Sequence, residues 1–249
     1  MNTGKIIKTL SGFYYVQTET GIVSCKPRGK FRHMGFSPLV GDTVTFELSG
    51  SEGIITEIAP RKNSFIRPAV SNVDVIVFVA ANAIPVTDPL LIDRMSVIAE
   101  KSGCEFVVCL NKSDFDSADT LFDIYNGIGY SVCRTSAVTG EGIDRLISFI
   151  KGKTSVFTGN SGVGKSSLLN RIIPDADIKT NEVSIKLGRG KHTTTHVEIF
   201  SVDDDTFIAD TPGFASLDLN MVTDIEKRDL ARYFKDIDAF KCDCRFDDC

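Results

Sequence analysis

The segment Gly159-Asn-Ser-Gly-Val-Gly-Lys-Ser166 restricts the possible folds more than any other stretch of this chain. It has the spacing GxxxxGKS, follows the apolar run SVFTG (155–159) and precedes the amphipathic SSLLNRII (166–173). That is the strand, glycine-rich loop and helix order of a phosphate-binding loop. Glycines let consecutive backbone N–H groups turn toward phosphate oxygens, and the positive end of the helix adds to the attraction. The candidate phosphate-binding positions are Gly159, Asn160, Ser161, Gly162, Val163, Gly164, Lys165, Ser166 and Ser167, with Lys165 reaching the outer phosphates and the Ser166 hydroxyl taking Mg²⁺. A structural glycine turn is the plainer alternative, and the flanking strand and helix argue against it.

Around that loop, apolar runs and helical patterns alternate. VDVIVFVAA (73–81) is a continuous apolar run suited to a strand buried on both faces. A helix is expected over 89–102, a strand at EFVVCL (105–110), a helix near 117–127, a strand at YSVCR (130–134), a helix near 143–151 and two strands around VEIF (197–200) and FIAD (207–210). The fold class this predicts is α/β, a mostly parallel sheet with helices on both faces. Ligands of such sheets bind beyond the carboxyl ends of the strands.

Two further motifs end strands of this set. Asn111-Lys-Ser-Asp114 closes EFVVCL. The Asp114 carboxylate suits guanine, whose N1–H and exocyclic amine form a donor pair that adenine lacks, while Asn111 and Lys112 brace the base and the loop. After the next strand, Thr135-Ser136-Ala137 offers backbone N–H groups for the guanine oxygen, with Ser136 and Ala137 as the candidates. Asp210-Thr-Pro-Gly213 ends FIAD, 45 positions after Lys165 (165 to 210), and suits a carboxylate for Mg²⁺ and a glycine that senses the γ-phosphate. Guanine reading thus precedes phosphate binding, the reverse of the order in ordinary GTPases. A circular permutation accounts for this, since moving the chain ends leaves strand positions and the site intact.

The N-terminal part is different in kind. KIIKTL, FYYVQT, GIVSCK, DTVTFEL and GIITEIA are short alternating runs broken by turn residues, the pattern of a small β-barrel. Residues 1–68 carry nine Lys and Arg against five Asp and Glu (+4), and the remainder 19 against 28 (−9), which together make the net −5. Lys26, Arg28, Lys30, Arg32 and His33, with Phe31 and Phe36 between them, either hold nucleic acid or form a solvated loop whose rings cover the barrel. Residues 61–68 read as a linker. The chain has no apolar run of the roughly 18 residues a membrane-spanning helix needs, and no apolar leader, so a soluble cytoplasmic protein is expected. Seven cysteines without an export signal argue against a disulfide framework, and Cys104, Cys109 and Cys133 read as small buried hydrophobes. No heptad or long apolar edge suggests assembly, and a monomer is expected.

With these motifs in this order, and with Gly188-Arg-Gly-Lys-His-Thr-Thr-Thr195, the sequence resembles the circularly permuted GTPases of small ribosomal subunit biogenesis, the RsgA or YjeQ family. The resemblance implies three domains: an OB-fold RNA-binding barrel (1–66), a permuted GTPase domain (67–220) and the start of a zinc-binding domain (221–249). It implies GTP and GDP with Mg²⁺ as ligands, and the 30S subunit and 16S rRNA as partners that stimulate hydrolysis. Thr194 becomes the candidate third Mg²⁺ ligand. Phe214 stands where many GTPases orient water with glutamine, so His192 becomes the candidate water-orienting residue; alternatively it only positions the switch or meets RNA. Cys244 and Cys249 match the start of a zinc site that the family completes with a histidine and another cysteine; the sequence ends there, so an incomplete site in a truncated chain is expected, with a disordered or misassembled tail. A metal-delivery GTPase, whose terminal cysteines pass on a metal, and a P-loop phosphotransferase are the other readings. The basic barrel argues against the first, and the lack of an acceptor site against the second.

Overall fold

The structure, a computed structural model, describes residues 2–29, 31, 36–50, 52–66, 69–174, 198–210 and 225–238. Strands β1 (Asn2–Leu10), β2 (Phe13–Thr18), β3 (Gly21–Pro27), β4 (Thr43–Ser49) and β5 (Glu52–Ile58) form the barrel that the alternating runs predict. β1 pairs with both β2 and β4, and β3 runs parallel to β5, so the five strands close in the order β1-β2-β3-β5-β4. Closure leaves none of the five as an open edge. Ile6, Val16, Cys25, Val44, Phe46 and Ile55 fill the interior.

A hairpin, β6 (Ser64–Ile66) with β7 (Ala69–Ser71), follows where a linker was expected. Three-residue strands are too short for alternation to reveal them. The α/β unit then runs β8 (Val75–Ala80), α1 (Pro89–Ser102), β9 (Glu105–Leu110), α2 (Asp119–Ile128), β10 (Ser131–Arg134), α3 (Ile143–Ile150), β11 (Thr154–Thr158), α4 (Lys165–Ile172), β12 (Glu198–Ser201) and β13 (Phe207–Asp210). Strands β10, β9, β8, β11 and β13 are parallel neighbours, and β12 is antiparallel at the end. All six residues of β8 are buried. Ile76, Phe78 and Ala80 face the cluster containing Ile92 and Met95 of α1 and Leu121 and Tyr125 of α2. Val75, Val77 and Val79 face Leu146 and Ile150 of α3 and Leu168 and Leu169 of α4. Period-two alternation in a strand that is apolar throughout therefore feeds two cores at once.

Helix α1 shows how local signals set limits. The Asp88 carboxylate accepts from Leu90 N at 3.0 Å, Pro89 occupies the first turn, and Gly103 ends the helix at φ 65°. At the C-terminal end, a 3₁₀ helix (Lys227–Tyr233) packs on α1, and the following turn α5 (Lys235–Asp238) places Lys235 Nζ 3.2 Å from Glu100.

Barrel and α/β unit are joined more tightly than two separate charge blocks suggest. β1 pairs antiparallel with β12 at Lys8↔Glu198, so one eleven-stranded sheet runs through both. Lys5 of β1 donates from Nζ to Thr154 Oγ1 at 2.6 Å and lies over the Phe207 ring at 4.2 Å. Desolvation lowers its pKa, with the nearby Asp74 carboxylate pulling the other way. The second tie centres on Asp42, whose side chain is fully buried: Arg61 donates to it twice at 2.8 Å, Ser71 Oγ once at 2.6 Å and Leu39 N once at 2.7 Å. Arg61 also donates to Ser37 O and covers the Phe36 ring.

Removing one partner of a buried, hydrogen-bonded ion pair leaves an uncompensated charge. Arg61→Ala is therefore expected to destabilise the chain by about 3 kcal/mol in urea unfolding. Lys26→Ala, which breaks the exposed Lys26–Glu52 pair, should cost about 0–1 kcal/mol in the same assay.

Candidate functional site

Parallel order places the carboxyl ends of β8, β9, β10, β11 and β13 on one edge, where the loops after 80, 110, 134 and 158 meet. Asn111 sits at their centre and is 2% exposed. Its Nδ2 donates to Val163 O at 2.8 Å, and its Oδ1 accepts from Thr135 Oγ1 at 3.2 Å and Ala137 N at 3.3 Å. One amide thus ties the guanine-reading segment, the Thr135–Ala137 segment and the glycine-rich loop together. Thr135 Oγ1 in turn lies 3.2 Å from Cys109 Sγ, which extends the chain into the sheet. Cys104, Cys109 and Cys133 are all buried, as their apolar surroundings suggested.

The glycine-rich loop needs its glycines for space as well as for φ. Gly159 has φ 146° and lies against Val79 O, and Gly164 has φ 90° and lies against Asn111 Nδ2; a Cβ at either would collide with that atom. Lys165 opens α4, Ser166 follows it half-buried, and Ser161, Gly162 and Ser167 are exposed. Asn160 is half-buried and Val163 is buried beneath the loop.

Lys112 adopts φ 64° and donates from Nζ to Ile84 O at 2.7 Å. It therefore holds a loop, residues 81–87, that no motif marks. Pro85 of that loop lies over Gly162, and Thr87 anchors the loop base through Ala81 N and O. A cleft of about 400 Å³ opens between these segments, with Asp114 and Ser167 on its polar side. Its apolar rim is Ile84, Phe115 and Val138, which are 89%, 76% and 72% exposed. Three large apolar side chains converging on one carboxylate make a slot for a flat ring that carries hydrogen-bond donors. The rim residues were not legible in sequence, because nothing local says that three loops bring them together.

Ser136 is fully buried; its Oγ accepts from Thr139 N and its N–H donates to Glu141 O, so its side chain and N–H both work within the loop. The Ala137 N–H donates to Asn111 Oδ1 at 3.3 Å, and Ala137 lines the cleft. Asp210 ends β13 one position beyond the Val156↔Ala209 pair, beside the strand that leads into the glycine-rich loop. His192, Thr194, Gly213, Cys244, Cys249, Lys30 and Arg32 lie outside the described residues. Among the described residues, no group of three or more His, Cys, Asp or Glu side chains is placed to hold a metal ion.

On the barrel, Lys26 Nζ pairs with Glu52 at 2.9 Å and lies over Phe13, while Arg28 lines a neighbouring hollow of about 370 Å³. Phe31 is 7% exposed and belongs to the core, so it is not a ring presented to bases. Phe36 remains 41% exposed, with Arg61 on its ring.

The RsgA GTPase family model matches residues 58–220, and the RsgA N-terminal domain model matches 3–55. The chain belongs to the RsgA GTPase family. Among its relatives, the small ribosomal subunit biogenesis GTPase RsgA of Caldanaerobacter subterraneus is 46% identical over 99% of this chain and 83% of its own length. The protein of that name from Alkaliphilus metalliredigens is 43% identical over 100% and 86%. YjeQ from Thermotoga maritima superposes with a TM-score of 0.82 at 37% identity, covering 100% of this chain and 86% of that one. YloQ, a circularly permuted GTPase, superposes at 0.78 with 35% identity, covering 100% and 83%. The permuted order read from the motifs is thus the order of an RsgA-family fold, built on a five-stranded OB-like barrel.

Asn111→Ala removes a donor from a buried carbonyl and an acceptor from two groups. It should lower the stability of the nucleotide-free protein by about 2 kcal/mol, measured by urea unfolding.

Proposed function

We propose that this chain binds GTP in the cleft at the carboxyl edge of its sheet, hydrolyses it to GDP and phosphate, and acts in biogenesis of the small ribosomal subunit. Family membership supports the reaction, and the relatives' name, small ribosomal subunit biogenesis GTPase, supports the pathway. The observation that carries the reading is Asp114, an exposed carboxylate on the polar side of an apolar slot, across from the glycine-rich loop.

In this reading Asp114 accepts from guanine N1–H and the exocyclic amine, Asn111 and Lys112 hold the loops that frame the base, and Ala137, with Ser136 behind it, offers N–H to the guanine oxygen. Residues 159–167 cradle the phosphates, and Gly213 senses the last of them. Ser166, in the first turn of the helix that follows β11, and Asp210, at the end of the neighbouring parallel strand β13, are hard oxygen donors, a donor set that fits Mg²⁺; Thr194 is proposed as a third. Bound with the nucleotide, Mg²⁺ neutralises phosphate charge. His192 is proposed to orient the attacking water, since Phe214 cannot.

Lys26, Arg28, Lys30 and Arg32 are proposed to meet ribosomal RNA, with Lys26 exchanging Glu52 for phosphate. The domain limits proposed are 1–66, 67–220 and 221–249; the first falls between the strands of the β6–β7 hairpin. A cytoplasmic monomer fits this role. Cys244 and Cys249 supply two thiolates, and a tetrahedral zinc site needs two further ligands.

Alone, the chain should turn over GTP slowly, on the order of 10⁻⁴ to 10⁻² per second. Adding 30S subunits at fixed Mg²⁺ and salt should raise the GTP rate, while ATP stays unhydrolysed. A GTP rate indifferent to 30S subunits would remove the ribosomal half of the proposal, and an absence of GTP binding would remove all of it. Asp114→Asn should weaken GTP by about a hundredfold, because the amide meets the exocyclic amine donor to donor. The same variant should prefer xanthosine triphosphate, whose carbonyl at that position accepts from the new amide; equilibrium binding of the two nucleotides checks both outcomes.

A further inference from the structure

Arg171 is the unexpected member of the cleft's surroundings. It lies on the last turn of α4, the helix whose first turn carries Lys165 and Ser166. Its Nε donates to Ala137 O at 2.9 Å and its second guanidinium nitrogen donates to Val138 O at 2.6 Å. The guanidinium also backs Gly140, at whose α-carbon a Cβ would stand 3.8 Å from Nη1. A planar guanidinium donates along two fixed directions, so two successive carbonyls are turned the same way, toward α4.

A consequence follows from peptide geometry. In a trans peptide the C=O and N–H of one unit point in opposite directions. The only cis peptide among the described residues is Ile84–Pro85, so the Ala137–Val138 unit is trans. With Ala137 O held toward Arg171, the Val138 N–H is turned the other way. Ala137 and Val138 both line the cleft. The next unit along the loop is held through Val138 O as well, and its Thr139 N–H donates to Ser136 Oγ at 3.1 Å, so the Val138 N–H is the one this arrangement leaves turned away from Arg171.

From this geometry we infer that Arg171 is a specificity-positioning residue: it keeps the carbonyls of 137 and 138 turned toward α4, so that the Val138 N–H beside that of Ala137, and not a carbonyl oxygen, meets the purine's six-position oxygen. The inference rests on the guanine reading of the cleft. Without the guanidinium, the 137–138 peptide is free to rotate and present a carbonyl to an acceptor atom, which repels it. Asn111 ties the same loop to the glycine-rich loop through Val163 O, and Arg171 ties it to α4. The phosphate helix and the base-reading loop are thereby held as one unit.

The test is a thermodynamic cycle between protein and ligand. Dissociation constants of GDP and 6-thio-GDP, whose sulfur is a poor acceptor at the same position, are measured calorimetrically for the unaltered chain, Arg171→Ala and Arg171→Lys. Arg171→Ala should weaken GDP on the order of tenfold, as expected for one lost hydrogen bond, and weaken 6-thio-GDP by less than about twofold. Arg171→Lys, which keeps a donor, should recover part of the preference for GDP. The melting temperature of each nucleotide-free variant is measured alongside. Equal weakening of both ligands, or unchanged GDP binding, would overturn the role assigned to Arg171, as would Arg171→Lys behaving like Arg171→Ala with a matching fall in melting temperature. Failure of the unaltered chain to bind either ligand would instead overturn the guanine reading itself.

Discussion

The parallel hydrogen-bond ladder of β10, β9, β8, β11 and β13 is the constraint on which the rest of the structure depends. Parallel strands cannot be joined by tight turns, so each pair needs a crossover, and the crossovers here are helices. Both faces of the sheet must then be covered, which is why β8 is apolar at every position and feeds two cores. The same rule collects every strand-to-helix loop on one edge. The cleft exists because four of those loops converge there, not because any one of them is shaped as a pocket.

Convergence alone leaves loops free to shift, and buried polar groups remove that freedom. Asn111 satisfies three partners from two other loops. A buried amide that makes three hydrogen bonds accepts few alternative arrangements, because each would strand a buried donor or acceptor. Lys112 and Arg171 extend the bracing outward, one to Ile84 O and the other to the carbonyls of 137 and 138. Asp42 does the same at the other end of the molecule. Its carboxylate, buried with Arg61 and Ser71, locks the barrel against the start of the α/β unit. Through Lys8↔Glu198 the barrel also takes the edge of β12 that would otherwise be open, an edge that exposed backbone groups make ready for pairing.

Much of this was legible beforehand. The limits of α1 follow from Asp88, Pro89 and Gly103, because capping chemistry is local. The strand ahead of Gly159 and the helix from Lys165 stand where the loop pattern needs them. Less legible were the β6–β7 hairpin, too short to show alternation, and the antiparallel β12. Phe31 was ambiguous between base-stacking ring and barrel core, since an aromatic residue among cations satisfies both patterns; burial decides for the core.

The sequence by itself determined the kinds of element, the motifs and their permuted order, because strand periodicity, helix caps and glycine spacing are properties of neighbours along the chain. Only the tertiary structure decided that Ile84, Phe115 and Val138 rim one cleft, that Arg61 is an anchor and not linker, and that Arg171 holds carbonyls more than 30 positions away. Those contacts join segments whose separation in sequence carries no local signal. They form because folding of the parallel sheet brings its loop edge together, and the polar groups that meet there must find partners once water is excluded.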